Sequence, residues 1–264
     1  MMRRLRQYLA VYGKFLSTCF AAASTYRLHF VLLIVMDQLF YFSLLGSVDF
    51  IFDQVPVIGP WSRDHFMFFI AFMLAVDHLH MTFVSESFWE FSYDLRTGRL
   101  DFILLRPLNT LFTIFARLIR PATMVNVVTP WAFLIHFGLA LDLQASAWFF
   151  LLPLVVLALL LLTSIEILLS MLMFWTVESF GINFLRMQLQ TVSRWPDFIY
   201  PTWSKRIFTL VIPILLVGSA PVRFLFDPTQ WIGVMAMLVA LGVTWILIAF
   251  VWRLGLRSYE SASS

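Results

Sequence analysis

Long apolar runs limit the possible folds of this chain more than any other feature of its sequence. The run over residues 147–175 carries one charge, Glu166, and it exceeds the roughly 20 residues that a helix needs to cross a bilayer. Lipid offers no hydrogen-bond partner to free backbone groups, so continuous runs of this length predict helices. A transmembrane barrel would show alternating segments of about 10 residues instead. The runs therefore predict an all-α, polytopic membrane protein.

The composition supports the same class. Of 264 residues, 61% are hydrophobic and 12% are charged, whereas soluble domains carry about 45–50% and about 25%. We predict one domain over residues 1–264, with no sizeable soluble part. The single cysteine, Cys19, excludes an internal disulfide. The net charge is +3, and the basic residues are scattered beside the apolar runs. This distribution is not that of a nucleic-acid-binding surface, where basic residues cluster on one face.

We predict six spans. Five of them follow from the apolar runs, and the third is expected to bend near Pro121 or Pro130. The sixth span has two possible positions. In the first, residues 207–225 span the membrane and residues 176–206 form a cytoplasmic loop. In the second, residues 178–199 form a span hidden in the interior, and residues 203–225 form a re-entrant hairpin on the outer side. The five spans are residues 28–47, 65–84, 114–141, 147–175 and 231–252.

Prolines and charges favour different solutions for this part of the chain. Pro213 and Pro221 would break a spanning helix, which favours the hairpin. Arg186 and Arg194 favour the cytoplasmic loop, because charges inside a bilayer are costly. The residues themselves leave both alternatives open.

Basic residues set the predicted orientation. Residues 3–24 have the pattern of an amphipathic helix that lies in the headgroup plane. The N-terminal basic residues put this helix on the cytoplasmic side by the positive-inside bias. The loop over residues 48–64 has one basic residue, Arg63, which suits the outside. An even number of spans then places both termini in the cytoplasm. The N-terminal basic residues are Arg3, Arg4, Arg6, Lys14 and Arg27.

Residues 85–109, between the second and third spans, predict a short helix on the cytoplasmic side. Ser87 and Glu90 have the spacing of a capping box at a helix start. Gly98 suits a left-handed helix end. The predicted helix places Phe88, Phe91 (or Ser92) and Leu95 on one face, and Glu90, Asp94 and Arg96 on water-facing sides. A surface helix with aromatic residues on one face is suited to binding a partner.

Ionisable residues inside predicted spans mark either a transport pathway or a buried interhelical contact, and four of them are candidates for these roles. They are Asp37, Asp77, His78 and Glu166. Arg27, Arg117 and Arg120 are possible partners for Asp37 and Glu166. His80 cannot converge with His78 on one metal from the same helix, so we predict no metal site. The chain has no phosphate-binding loop, serine-nucleophile elbow or His-Glu-x-x-His motif, and we predict no catalytic site.

Three motifs are similar to those of a known family. Residues 98–109, GRLDFILLRPLN, resemble the G-x-L-D-x-x-L-L-[KR]-P-L-N signature of bacterial ABC type-2 permeases. The run from Arg194 to Pro213 resembles the second conserved region of that group. The C-terminal run from Trp252 through Tyr259 to Ser261 is also similar.

The resemblance implies an N-terminal interfacial helix, six spans, a coupling helix after the second span and re-entrant outer helices before the last. It also implies that two permeases, identical or related, pair above two separate ABC ATPase subunits. Those subunits would bind ATP and Mg²⁺, so the chain itself needs no cofactor. The residues expected to couple to the ATPase are Ser87, Phe88, Trp89, Glu90, Phe91, Asp94, Leu95, Arg96 and Gly98.

We therefore expect the permease subunit of an ATP-driven exporter in a prokaryotic inner membrane. Its substrate would be a small amphipathic, drug-like or lipid-like molecule, moved outward between two permeases. An integral-membrane enzyme acting on lipids is the alternative, and Asp77 with His78 and His80 is its one candidate site. A membrane anchor without transport activity is a third possibility.

Overall fold

The computed structural model describes residues 2–176 and 180–259, with side chains from Arg6 onward. Glu178 and Ser261 lie outside the described residues, as do the side chains of Arg3 and Arg4. The described chain is helical apart from short connections and one hairpin of two two-residue strands. The prediction of an all-α polytopic membrane protein is confirmed.

Thirteen α-helices and two short strands follow each other in the described residues, with single 3₁₀ or π turns between some of them. In order they are α1 (Met2–Thr25), α2 (Arg27–Phe52), β1 (Val57–Ile58), β2 (Trp61–Ser62), α3 (Arg63–Phe83), α4 (Ser85–Arg96), α5 (Arg99–Leu104), α6 (Thr110–Phe115), α7 (Pro121–Val125), α8 (Val128–Ala140), α9 (Ala145–Ser170), α10 (Phe180–Ser193), α11 (Thr202–Arg206), α12 (Leu216–Phe226) and α13 (Trp231–Ser258).

Four of the described helices are long and apolar enough to cross a membrane: α2, α3, α9 with its 3₁₀ extension to Phe174, and α13 with the 3₁₀ turn before it. They contain or closely match four of the five spans predicted from the apolar runs. The central one is α3, in which every residue from Phe66 to Asp77 is buried. It packs against α2, α8, α9 and α12, so it is screened from lipid by the protein.

The predicted third span, residues 114–141, is broken rather than bent, and the break lies at Pro121, one of the two predicted positions. The chain there divides into α6, α7 and α8, with an extended break before Pro121. Proline disfavours the helical conformation in the residue before it, and Arg120 is indeed extended, with φ −101° and ψ 93°. The Arg120 N–H donates to the Thr82 carbonyl at 2.9 Å instead. Pro130 lies in the first turn of α8, where proline causes no break.

Contacts between distant segments define the two ends of the molecule. At one end, called here the hairpin end, Trp61 packs against Phe198 and Phe226, with ring centroids 4.9 and 5.7 Å away. At the other, called the α4 end, Phe174 packs against Phe91 and Tyr259 at 5.9 and 6.2 Å. In the described residues, α2, α3, α6–α8, α9, α10 with the turn after it, and α13 each run between these ends. That all six passes span a bilayer stays a prediction.

Residues 202–226 form a bent pair of helical arms that meet at 85°. The Asp197 carboxylate lies 2.7 Å from Lys205 Nζ on the first arm and also contacts Arg223 on the second. The first arm therefore begins at the hairpin end, and the second arm returns to it. This path favours the re-entrant hairpin predicted for residues 203–225. The cytoplasmic-loop alternative for residues 176–206 fits poorly, because Arg186 is only 1% exposed.

The N-terminal helix α1 packs on the region that follows α4. The ring of Tyr8 lies 5.0 Å from that of Phe112, edge to face, and its hydroxyl accepts a hydrogen bond from the Asn109 N–H at 2.9 Å. Asn109 in turn caps α6 by accepting from the Phe112 N–H at 3.0 Å. These contacts hold α1 at the α4 end, and its position in the headgroup plane stays a prediction.

Candidate functional site

The helix α4 begins three residues earlier than the capping box of Ser87 and Glu90 predicts, so the predicted capping box is wrong. Val84 occupies the N-cap position, and no side chain caps the helix. The α3 helix runs on to Phe83, which leaves Val84 as the only turning residue between α3 and α4. Ser87 consequently lies inside α4, where its hydroxyl is buried and has no hydrogen-bond partner among the described residues.

The other end of α4 is as the sequence predicts. Thr97 ends the helix, and Gly98 follows in the left-handed conformation with φ +72°. Other residues adopt this conformation at a cost because of their Cβ atom. The sharp turn at Gly98 lets α5 start at Arg99 and return along α4.

The aromatic face of α4 is turned into the protein. Phe88 and Phe91 are fully buried, Ser92 is 4% exposed and Leu95 is half-buried. Phe88 and Phe91 both pack against Phe115, with ring centroids 5.1 and 5.4 Å away. This face therefore anchors α4 and is not available to a partner.

Two aromatic residues one helical turn apart form the outer face of α4. Trp89 is 42% exposed and Tyr93 is 45% exposed. Residues at i and i+4 are neighbours on a helix surface, so the two rings share one patch. Trp89 is among the residues expected to couple to the ATPase, and Tyr93 is not. The i, i+4 spacing of the two residues could have indicated Tyr93.

Three acidic residues of α4 form a stripe at intervals of four residues, and each faces an arginine. Glu86 lies 3.8 Å from Arg120 Nε, Glu90 lies 3.0 Å from Arg99 Nη1, and Asp94 contacts Arg117. The prediction that Asp94 faces water is wrong, because its side chain is 0% exposed.

Asp94 is buried because an arginine from the break before α7 reaches it. Burial raises the pKa of the Asp94 carboxyl above its ordinary value, while the Arg117 and Arg99 guanidiniums oppose that rise. Arg96 is exposed, as predicted. The stripe therefore holds α4 to the segment between α6 and α7.

A buried cluster ties α4 to three other helices. Arg186 of α10 places its guanidinium carbon 4.5 Å from the centre of the Phe88 ring. Its Nη1 lies 3.3 Å from the Glu166 carboxylate of α9. His80 of α3 contacts the same carboxylate through Nε2 and stacks on Phe88 at 6.1 Å. We call these four residues the Phe88 cluster, and it links α3, α4, α9 and α10.

The other ionisable residues predicted inside spans also make interhelical contacts. Asp77 accepts from Gln190 Nε2 at 3.1 Å and from Arg194 Nε at 2.5 Å. Asp37 accepts from the Thr123 hydroxyl at 3.0 Å and lies 3.8 Å from an Arg120 nitrogen. All of these carboxylates are buried.

The predicted partners were right in one case. Arg120 was a suggested partner of Asp37, and it does reach it. Glu166 pairs with Arg186 and His80, and with neither Arg27, Arg117 nor Arg120 among the described contacts. His78 is 2% exposed, and its Nδ1 has no partner among the described residues.

The basic and amide residues of α10 are the members of the site that the sequence analysis misread. Arg186 on α10 and Arg194 just after it predict a loop in water, yet they pair with Glu166 and Asp77. Asn183, Arg186, Gln190 and Ser193 recur every three or four residues and are all buried. That spacing marks one face of a helix and could have indicated a polar face packed against the carboxylates of the spans.

The described residues contain no group of three or more His, Cys, Asp or Glu side chains that could hold a metal ion. The carboxylates of this region instead pair with arginine side chains across helix interfaces, whereas the Ser87 hydroxyl and His78 Nδ1 have no partner among the described residues. The short helix α4 therefore has an exposed outer face. Its inner face contacts the long helices through charged side chains.

A protein-family model described as "ABC-2 family transporter protein" matches residues 25–263. The chain belongs to the ABC-2 transporter family. The match covers nearly all of this ABC-2 permease and includes α4, the bent pair of residues 202–226 and α13. Searches of the curated proteins and of the solved structures return no match. The resemblance drawn from residues 98–109 is thereby confirmed.

Membership of the family gives α4 a context. ABC-2 permeases work with ATPase subunits, and this one is a multi-pass membrane protein that forms the transport part of such a system. The exposed patch of Trp89 and Tyr93 lies at one end of the molecule, opposite the loop between α2 and α3.

Proposed function

We propose that this ABC-2 permease is the membrane-spanning subunit of an ATP-driven exporter of a prokaryotic inner membrane. Separate ATPase subunits, which bind ATP and Mg²⁺, dock on the outer face of α4. The substrate is a small amphipathic, drug-like or lipid-like molecule, and it moves outward along the interface with a second permease, either identical or related. Both termini and α4 lie in the cytoplasm.

The Phe88 cluster is the observation that carries this proposal. A ligand can shift a protein between two arrangements only if it contacts them differently. An ATPase that holds Trp89 and Tyr93 on one side of α4 would act on Phe88 on the other. Since His80, Glu166 and Arg186 surround Phe88, a displacement of α4 reaches α3, α9 and α10 directly.

The outer faces of α2 and α13 support a second permease and an apolar transport path. Only 17% of the apolar window of each helix is buried within the chain. The exposed side of α2 is a continuous row of large apolar residues such as Leu32, Met36 and Leu39. Such faces meet either lipid or another helix, and packing against a second permease would bury them.

The burial of the polar clusters supports a transport subunit over the lipid-modifying enzyme. Asp77, His78 and His80 are between 0 and 2% exposed. A catalytic group must come within hydrogen-bond distance of its substrate, and these side chains are covered on all sides by helices.

Removing the exposed aromatic patch tests the proposal. In the double variant Trp89→Ala, Tyr93→Ala, we expect the affinity for the ATPase subunit to fall at least 30-fold. The reason is that an aromatic anchor of an interface contributes about 2 kcal/mol or more to binding. The measurement is the affinity of the purified permease for the Walker-type ATPase that co-purifies with the unaltered chain. Phe149→Ala removes an exposed aromatic side chain (75% exposed) near the start of α9 and serves as the control. Unchanged affinity in the double variant would exclude α4 as the docking site.

A second measurement separates transport from anchoring. The complex is reconstituted in proteoliposomes, and ATP hydrolysis is followed with and without amphipathic test compounds. The proposal predicts stimulation of hydrolysis by at least one compound and its loss in the double variant. Hydrolysis that no compound changes would indicate a membrane anchor.

A further inference from the structure

Two cavities lie side by side between the bent pair of residues 202–226 and α13. The first, about 370 Å³, is apolar and is lined by residues such as Val211, Pro213, Val239 and Val243. The second, about 580 Å³, is polar and lies closer to the hairpin end, where Lys205, Ser219 and Arg223 line it together with Asp197 and Gln230.

The two cavities adjoin each other, because Thr209 and Leu216 line both of them, and together they are called the groove here. Along α13 the groove runs from Gln230 to Leu247, which is roughly 26 Å at a rise of 1.5 Å per residue. One leaflet is half of a bilayer of about 40–45 Å. The groove is therefore long enough for an amphipathic molecule of leaflet length, with its polar part at the hairpin end.

The polar part of the groove favours a negatively charged group. Lys205 and Arg223 share the single carboxylate of Asp197, and both are more than a third exposed. Arg206 lies next to Lys205 in a neighbouring cavity. Beside the cavity, the Asp227 carboxylate accepts from the Thr229 N–H and hydroxyl. Among the described residues that line the cavity itself, two cations therefore face one carboxylate, which both of them already contact.

A polar atom without a partner lies where the two cavities join. The Thr209 hydroxyl is buried and makes no hydrogen bond with any described residue. It lies on a π turn, Ile207–Val211, and π turns occur frequently at functional sites. A buried hydroxyl without a partner is costly, and rotation of the Thr209 side chain toward the adjoining cavities would bring it within reach of a ligand oxygen.

We propose that this groove binds an anionic phospholipid from the leaflet at the hairpin end. The phosphate contacts Lys205 and Arg223, a glycerol or ester oxygen meets Thr209, and one acyl chain lies along Val239 and Val243. The proposal requires only that the chain is in a membrane, and it does not rest on the docking of an ATPase to α4.

Lipid binding to the full chain tests this directly. The detergent-solubilised protein is titrated with phosphatidylglycerol and, separately, with phosphatidylcholine of the same acyl chains, and native mass spectrometry counts bound lipid. We expect Lys205→Gln to weaken phosphatidylglycerol binding roughly fivefold, the effect of one basic residue near an anionic headgroup. Binding of phosphatidylcholine should weaken less, because its choline cation offsets the charge of the phosphate that contacts Lys205. Arg253→Gln, an exposed basic residue at the other end of α13, is the charge control.

Filling the apolar part gives a test that does not alter the ion pairs. Val243→Trp places a ring in the groove and should reduce the binding of both lipids at least fivefold. Leu238→Trp adds the same ring to a side of α13 outside the groove and should leave binding unchanged. Equal phosphatidylglycerol binding by Lys205→Gln and the unaltered chain would overturn the proposal. The proposal would also be overturned if the Val243→Trp variant no longer formed a dimer but bound as much lipid as the unaltered chain. That result would mean that a second copy of the chain occupies the groove.

Discussion

The pairing of Arg186 with Glu166 predicts a large loss of stability when only one of the two charges is removed. Both side chains are 1% exposed, and Arg186 lies 3.3 Å from the carboxylate and 4.5 Å from the Phe88 ring centre. Arg186→Met keeps most of the side-chain volume and removes the charge, so Glu166 keeps only its contact with His80. Breaking a buried pair in this way costs about 3–5 kcal/mol. Because His80 can retain part of the pairing, we expect a loss of about 3 kcal/mol in the free energy of unfolding.

The double variant Arg186→Met, Glu166→Gln tests the reason for that loss. It leaves no buried charge without a partner, and replacing a whole buried pair by neutral groups is often close to neutral. We expect its free energy of unfolding to lie within about 1.5 kcal/mol of that of the unaltered chain.

Equilibrium unfolding in mixed micelles of mild detergent and dodecyl sulfate, followed by tryptophan fluorescence, measures these differences. Arg253→Met is the control, because Arg253 is exposed in the last two turns of α13. Two results would refute the reasoning: a single variant as stable as the unaltered chain, or a double variant less stable than the single one. Either would mean that Arg186 is not buried against Glu166 and that α10 lies elsewhere.

Two further predictions concern the α4 end. Asp94→Ala leaves the Arg117 guanidinium without its main partner and should lower the free energy of unfolding by about 1–3 kcal/mol, measured in the same micelles. Gly255→Ala should also lower the free energy of unfolding, by about 1–3 kcal/mol, because the added Cβ would lie 2.3–2.9 Å from carbons of the Phe174 ring. Gly242→Ala is the matched control, because a Cβ there would have no neighbouring atom within 4 Å. Its stability should stay the same or rise by up to about 1 kcal/mol through the higher helix propensity of alanine.

The long helices could be predicted from the sequence because a single physical requirement decides them. Backbone groups in lipid must bond within their own segment, so an apolar run such as residues 147–175 allows only a helix. The left-handed turn at Gly98 was predictable for a similar reason, since few residues adopt that conformation at low cost. These features depend on local sequence and on the solvent.

Features that depend on contacts between distant residues could not be read in this way. Asp94 looks like a water-facing residue until Arg117, 23 positions away, is known to reach it. Arg186 suggests a loop in water until Glu166 is placed beside it. The boundary of α4 was misjudged because the spacing of Ser87 and Glu90 fits a capping box, whereas α3 continues to Phe83 and brings the turn forward to Val84.

The side of the membrane on which α4 lies, and its contact with an ATPase, test the central claim most directly. In a Cys19→Ala background, Tyr93→Cys places one reactive thiol on the exposed face of α4, and a membrane-impermeant maleimide labels it in right-side-out and in inverted vesicles. The account predicts labelling only in inverted vesicles, and protection from labelling when the ATPase subunit is bound. Labelling in right-side-out vesicles, or equal labelling with and without the bound ATPase, would contradict it.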